Sequence, residues 1–246
     1  MRPLSIGSCE YFSPVPRARS VGAWCRFCSA PATRSPALRA PPAKAKELAQ
    51  AGVVPAVLDI FDADGVSGAV LAARPDVVIQ LTDLPREFDQ ARISASYPNN
   101  ARIRSEGTRN LIAAAQAAGA RRFIVQSIAF AYAPGGEPHV ETDPLNLGDP
   151  VRAITVRGAA DMEQQGLTAS GLDAIVLRYG LLYGPGTWYE TPSHRPALHV
   201  DAAAHAALRA VARGKSGVYN IADDDGAVSI AKARAELGFD PEFRAA

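Results

Sequence analysis

The sequence predicts an α/β fold: a doubly wound parallel sheet with a small C-terminal lobe. Three observations predict it. Short apolar runs alternate with helix-length segments from about Leu48 onward, which is the pattern of βαβ units around a parallel sheet. One run, "VIQLTDLP" (78–85), opens as a buried strand and ends in Thr82 and Asp83, and the carboxyl edge of such a sheet is where a ligand is held. The chain has 246 residues, 48% hydrophobic and 21% charged, enough for one large domain with a sizeable core.

The elements follow in order. "VVPAVLDIF" (53–61) is strand-like and "DADGVSGAVLAA" (62–73) is a helix. "DVVIQL" (76–81) is a strand. "EGTRNLIAAAQAAGA" (106–120) is a helix that Gly119 is placed to end. "RRFIVQS" (121–127) is a strand and "VRAITVRGAADMEQQ" (151–165) a helix. They are followed by the strand "LDAIVLRYG" (172–180), the helix "DAAAHAALRAVARG" (201–214) and the short strand "GVYNIA" (217–222).

Charge and cysteine content narrow the function classes. The formal net charge is +1, so there is no electrostatic case for nucleic acid or an anionic membrane as partner. No apolar stretch is long enough to span a bilayer. Cys25-Arg-Phe-Cys28 is a lone pair of cysteines, and the four histidines lie far along the chain, so a zinc site lacks its usual four ligands. Scarce cysteine fits a reducing, cytoplasmic setting.

Residues 1–46 have another texture. They are rich in Pro, Ser and Arg, hold Glu10 as their one acidic residue, and show neither helical nor strand period. An irregular segment is expected. A transit peptide, a tail and an out-of-frame stretch fit this texture equally.

From about Leu48 to Arg244 the chain resembles the extended or atypical short-chain dehydrogenases/reductases, the NAD(P)-dependent epimerase/dehydratase family. The stretches that carry the resemblance are "VLDIFD" (57–62), "PDVVIQLT" (75–82), "EGTRNLIAAA" (106–115), "RRFIVQSIAFAY" (121–132), "VLRYGLLYGPG" (176–186) and "HVDAAAHAA" (199–207), in family order and spacing. The resemblance implies a Rossmann-like domain over 47–182 and a substrate lobe over 183–246. It implies NAD or NADP as cofactor, a small hydroxy, keto or nucleotide-sugar substrate, and possible homodimers.

The same resemblance places the cofactor. Asp59 and Ile60 fall where the adenine is held, although Asp59 also reads as a cap of the helix at 62–73. Leu81, Thr82 and Asp83 face the ribose and nicotinamide side, with Asp83 equally a helix cap. Tyr179, Gly180, Leu181 and Leu182 lie near the nicotinamide. Arg34, in "TRSP" (33–36), stands where an Arg grips the 2′-phosphate of NADP, against the alternative of a solvent-exposed Arg.

Two family features are missing. Nothing in residues 1–46 matches the Gly-x-x-Gly-x-x-Gly turn that brings the backbone to the pyrophosphate, so the N-terminal strand-helix-strand unit reads as incomplete and cofactor binding is expected to be weak. The family's Tyr-x-x-x-Lys pair, in which the Lys charge lowers the Tyr pKa, falls on Thr155 and Ala159 when anchored on "AADME" (159–163). The usual catalytic hydroxyl falls on or next to Ile128. Ser127 and Tyr132 are the remaining catalytic candidates. The expected function is an oxidoreductase or epimerase-type activity, with a non-catalytic dinucleotide sensor or an inactive family member as the alternatives.

Overall fold

A computed structural model describes residues 9–12, 36–38, 54–56, 58–81 and 96–245. Among these, the strands are β1 (Cys9–Phe12), β2 (Pro36–Leu38), β3 (Val54–Ala56), β4 (Val77–Gln80), β5 (Arg122–Ile128), β6 (Asp173–Tyr179), β7 (Leu181–Tyr183), β8 (Ala197–His199) and β9 (Gly217–Ile221). One sheet runs β3-β2-β1-β4-β5-β6-β9, and every pair in it is parallel. The order reverses between β1 and β4, which opens a crevice at the carboxyl ends of those strands. β7 and β8 form a separate parallel pair. This is the doubly wound α/β architecture that the alternation of elements predicts.

Within the N-terminal stretch, Cys9–Phe12 and Pro36–Leu38 are strands, which corrects the expectation of a wholly irregular segment. Cys9–Phe12 is an interior strand, paired to β2 on one side and β4 on the other. Four and three residues are too short a run for a strand period to stand out, and pairing within the sheet decides the conformation instead. The residues that join β1 to β2, where a glycine turn is sought, are outside the described ones, as is Cys25-Arg-Phe-Cys28.

The helices cover the two faces. α1 (Ala63–Ala73) is capped by Asp62, whose carboxylate accepts from the Gly65 N–H. α2 (Tyr97–Arg102) continues through a π-helical segment, Ile103–Gly107, into α3 (Thr108–Ala117). The sequence places the start of this helix at 106, and the structure begins it at Tyr97; Pro98 sits in the first turn, where its missing N–H is no loss. Gly119, at φ +75°, ends α3 as expected. α4 (Ala153–Thr168) and α5 (Val200–Ala212) complete the layers.

Alternate strand residues feed two cores. Val77, Ile79, Leu81, Ile124, Ile175, Leu177 and Tyr179 pack on the alanine-rich face of α5. Val78, Phe123, Val125 and Val176 pack with Val66 and Val70 of α1, Leu111 of α3 and Met162 of α4. Burial on both faces explains why these strands read as continuous apolar runs.

Candidate functional site

The carboxyl edge of the sheet collects the residues the sequence singles out. At the β3 end, Asp59 accepts the Phe61 N–H at 3.1 Å in a local turn, and its side chain is exposed. The cap of α1 is Asp62, so capping is not the role of Asp59. Ile60 is buried, and its carbonyl accepts from Asn110 at 2.9 Å. At the β4 end, Leu81 is buried in the core facing α5. Arg34, Thr82 and Asp83 lie outside the described residues.

At the β6 end, Tyr179 is buried and its hydroxyl donates to the Ala203 carbonyl at 2.7 Å. Burial raises its pKa far above the usual phenol range, so near neutrality it is a fixed donor. Gly180 carries the chain from β6 to β7. A Cβ there would meet the Ala197 carbonyl oxygen at 2.6 Å, so only glycine allows the approach to β8. Leu181 and Leu182 pair with Ala197 and Leu198 and are half-buried.

Ser127 and Tyr132 are brought together, within one buried polar network. The register sets Ser127 beside Arg178. The Ser127 hydroxyl donates to Glu163 at 2.5 Å, and both Glu163 oxygens accept from the Arg178 guanidinium, at 2.9 and 2.7 Å. Arg178 also donates to the Tyr132 hydroxyl at 2.8 Å, which donates in turn to Asn220 at 2.6 Å. Burial opposes the Arg178 charge, but the hydrogen bond and charge of Glu163 outweigh it and raise its pKa. Burial raises the Tyr132 pKa against the opposing effect of Arg178. The tyrosine stays protonated and does not serve as a base near neutrality.

The positions of the expected dyad are both described. Ala159 is 0% exposed and lies in an apolar cluster with Ile128, Ala131 and Val156. The position at or beside which the resemblance expects a hydroxyl, Ile128, and the position where it expects a lysine, Ala159, thus share one apolar cluster. Thr155 is buried, and the guanidinium of Arg104, in the π-helical segment, donates to its carbonyl and hydroxyl, each at 3.3 Å. The helices approach closely here because Gly158 faces Ala101, whose Cα would be 2.8 Å from a Cβ at 158.

Sequence reasoning missed Arg104, Glu163 and Arg178. The last two stand in "AADME" and "VLRYG", where a carboxylate and a guanidinium inside otherwise apolar motifs are the signal of a buried pair. A further group, Tyr183, His199 and Asp223, lies where the lobe joins the sheet. The Asp223 carboxylate accepts the His199 N–H at 3.4 Å, and the rings of Tyr183 and His199 meet edge-on. Burial, then Asp223, pushes the Tyr183 phenol up to about 12. Among the described residues no group of three or more His, Cys, Asp or Glu can hold a metal ion, and no helix is long and apolar enough to cross a membrane.

Comparison with known proteins adds three findings. The model of a family described as NAD(P)H-binding matches residues 32–213. The chain is 41% identical over 192 residues to 3-diazoavenalumate denitrifying reductase of a Streptomyces species, spanning 69% of this chain and 62% of that protein. It is 28% identical over 155 residues to UDP-glucose 4-epimerase of Rhizobium leguminosarum bv. trifolii, spanning 59% and 45%. The chain thus covers less than two thirds of the length of either relative. Among solved structures, the Thermotoga maritima UDP-glucose 4-epimerase with UDP-glucose superposes at a TM-score of 0.74, with 15% identity, over 96% of this chain and 94% of that one. The Thermus thermophilus UDP-glucose 4-epimerase with NAD gives 0.72, with 18% identity, over 96% and 94%. At such identities the likeness shows the fold.

Proposed function

Because the chain belongs to the NAD(P)H-binding family, we propose that it is an NAD(P)-dependent oxidoreductase that reduces a small unsaturated acceptor at the carboxyl edge of its sheet. The crevice residues fit a dinucleotide. Asp59 presents an exposed carboxylate to an adenine amino group, beside the buried wall of Ile60. The bend through Tyr179, Gly180, Leu181 and Leu182 borders the nicotinamide side, and Leu81 backs it from the core at the end of β4; Thr82 and Asp83 are the residues of the chain proposed to follow on toward the ribose. Arg34 is the residue that would favour NADP. The bound cofactor supplies the hydride; binding, orientation and charge stabilisation fall to the chain.

One feature favours reduction over epimerisation: the resemblance expects an acid–base pair at Thr155 and Ala159, and both of these residues are buried. Epimerising a sugar by way of its ketone first removes a hydroxyl proton, which needs a base with a pKa near neutrality. A Thr hydroxyl and a methyl group offer none. Reduction of an electrophilic acceptor can take its proton from water after the hydride has moved. The relative with 41% identity is a reductase, which supports the same reading. Ser127 and Tyr132 then act as positioning residues that lock the end of β5 to β6 and α4. A second copy of the chain fits on the exposed apolar residues Leu147, Val151 and Ile154 at the start of α4.

The test is consumption of NADH and NADPH, followed by nicotinamide absorbance, with a panel of carbonyl, conjugated and diazo acceptors beside UDP-glucose. Acceptor-dependent oxidation of the nucleotide without epimerisation of UDP-glucose is expected. Epimerisation with no net nucleotide oxidation would overturn the reductase reading. Nucleotide binding without turnover of any acceptor would favour a dinucleotide sensor.

A further inference from the structure

The buried face of the helix α2–α3 changes character along its length. From Leu111 onward it is apolar, whereas Ser96, Asn100, Arg104 and Thr108 are buried polar residues four apart. The Thr108 hydroxyl donates to the Oε1 of Gln80, the last residue of β4, at 3.0 Å, which fixes the level of the helix against the sheet. At the helical rise, Arg104 lies about 6 Å further along the axis and Asn100 about 12 Å. The helix runs back antiparallel to β4, so this displacement is outward, past the carboxyl edge.

The same argument holds for α4. Glu163 is level with Ser127 and Arg178 at the ends of β5 and β6, so Thr155, eight residues earlier, lies about 12 Å beyond them. The contact of Arg104 with Thr155 therefore stands on the crevice side of the sheet, within a π-helical segment, a local widening that recurs at functional sites. Two buried polar atoms beside this contact, Asn100 Oδ1 of the stripe and Gln80 Nε2 at the end of β4, have no hydrogen-bond partner among the described residues. Their residues are 6% and 0% exposed. Native interiors leave few such atoms, and a bound water or a polar ligand reaching this end of the helix would satisfy them.

We propose that Arg104 and Thr155 form the charge-stabilising pair of the reductase, receiving on guanidinium and hydroxyl the negative charge that hydride addition leaves on a carbonyl oxygen of the acceptor. The inference rests on the reductase reading above. The new C–H bond forms with the hydride from the reduced nicotinamide, which ends oxidised. The carbonyl π pair moves onto oxygen, and that oxygen takes its proton from water and leaves hydroxide. Arg104 does not donate the proton, since a guanidinium is not deprotonated in proteins. It acts as a fixed charge in a dry site, where such a charge acts most strongly. In this arrangement Arg104 replaces the electrostatic part of a Tyr-Lys pair and dispenses with its acid.

The experiment uses 4-nitrophenol with NAD⁺ or NADP⁺, because its ionised oxygen mimics the reduced acceptor and absorbs visibly. On the unmodified chain the bound phenol should ionise at a lower pH than the free phenol. Arg104→Met should abolish that shift and weaken phenolate binding at least about tenfold. It should also lower kcat roughly 10²-fold with little change in KM. Arg104→Lys should retain part of each effect, and Arg157→Met, which changes an exposed cation on α4, should retain all. If Arg104→Met fails to fold, Thr155→Val is read instead, with an expected loss of about tenfold in phenolate affinity. An unshifted phenol on the unmodified chain, unaltered phenolate binding in the variants, or a loss confined to KM would each overturn the pair. Nucleotide titration of the same samples separates the outcomes: nucleotide binding without a phenol shift removes this pair alone, while absent nucleotide binding removes the reading beneath it.

Discussion

Ile128 on β5 and Ala159 on α4 meet in one apolar cluster, together with Ala131 and Val156. The resemblance to short-chain dehydrogenases puts the expected catalytic hydroxyl on or next to Ile128 and the expected lysine at Ala159, so the two expectations meet at one contact. A lysine left at 159 would have its ammonium among methyl groups, and an isolated polar group at 128 would have lost its partner.

That coupling sets the outcome of restoring the dyad. Ala159→Lys alone buries a charge without a partner and should destabilise the fold by about 3 kcal/mol or more in urea unfolding. The combination Ile128→Ser, Thr155→Tyr and Ala159→Lys should recover part of that loss and raise carbonyl reduction, because general acid catalysis typically contributes about 10²–10⁴-fold. The double change at 155 and 159 should fall short of the triple. Wild-type stability in the single lysine variant would contradict this account of the cluster.

Asp59 and Asp62 separate cofactor binding from helix capping. Asp62→Ala removes the α1 cap and should cost about 1 kcal/mol of stability, with nucleotide affinity little affected. Asp59→Ala should leave the melting temperature near that of the unmodified chain and weaken adenine nucleotides several-fold. The reverse pattern in calorimetry and thermal melting would exchange the two roles.

The Ser127–Glu163–Arg178 network predicts unequal losses. Glu163→Ala leaves the buried Arg178 charge and the Ser127 hydroxyl without their acceptor, and should cost roughly 3–5 kcal/mol. Ser127→Ala removes one hydrogen bond and should cost about 1 kcal/mol. Turnover per folded molecule should be largely kept in Ser127→Ala and in Tyr132→Phe if both residues position rather than react. A collapse of kcat with unchanged stability in either variant would return that hydroxyl to catalysis.

Asp149 gives the pH dependence. The backbone N–H groups of Arg152 and Val151 hold its carboxyl below the usual range against the opposing effect of burial, with the Arg152 side chain adding to them. A carboxyl with a lowered folded pKa adds stability that is complete above its unfolded value, 3.8, and that fades as pH falls through the lowered one. Asp149→Asn should therefore lower the melting temperature at neutral pH, with the difference narrowing in acid. A difference that persists unchanged through the acid range would contradict the assignment.

Much of the fold was legible because β4, β5 and β6 are covered on both faces and read as unbroken apolar runs. Cys9–Phe12 was not legible, since four residues carry no period and their conformation is set by pairing with β2 and β4. The start of the helix at Tyr97 was not legible, since a proline breaks a helix except in its first turn, which is where Pro98 stands. Within the site, Asp59 and the bend at Gly180 could be placed from their order along the chain. Arg104 could not be placed, because an arginine on a helix reads as a solvent-facing residue. Its burial depends on the π-helical segment and on the close approach at Gly158, both properties of the packed structure. The link of Ser127 to Arg178 likewise needs the β5–β6 register.

The most direct test of the central claim is titration of the purified chain with NADH and NADPH, read by calorimetry and by the fluorescence of the reduced nicotinamide. The account predicts saturable one-site binding of at least one of the two, weakened by Asp59→Ala and displaced by the matching oxidised nucleotide. No saturable signal with either nucleotide at millimolar concentration would contradict it.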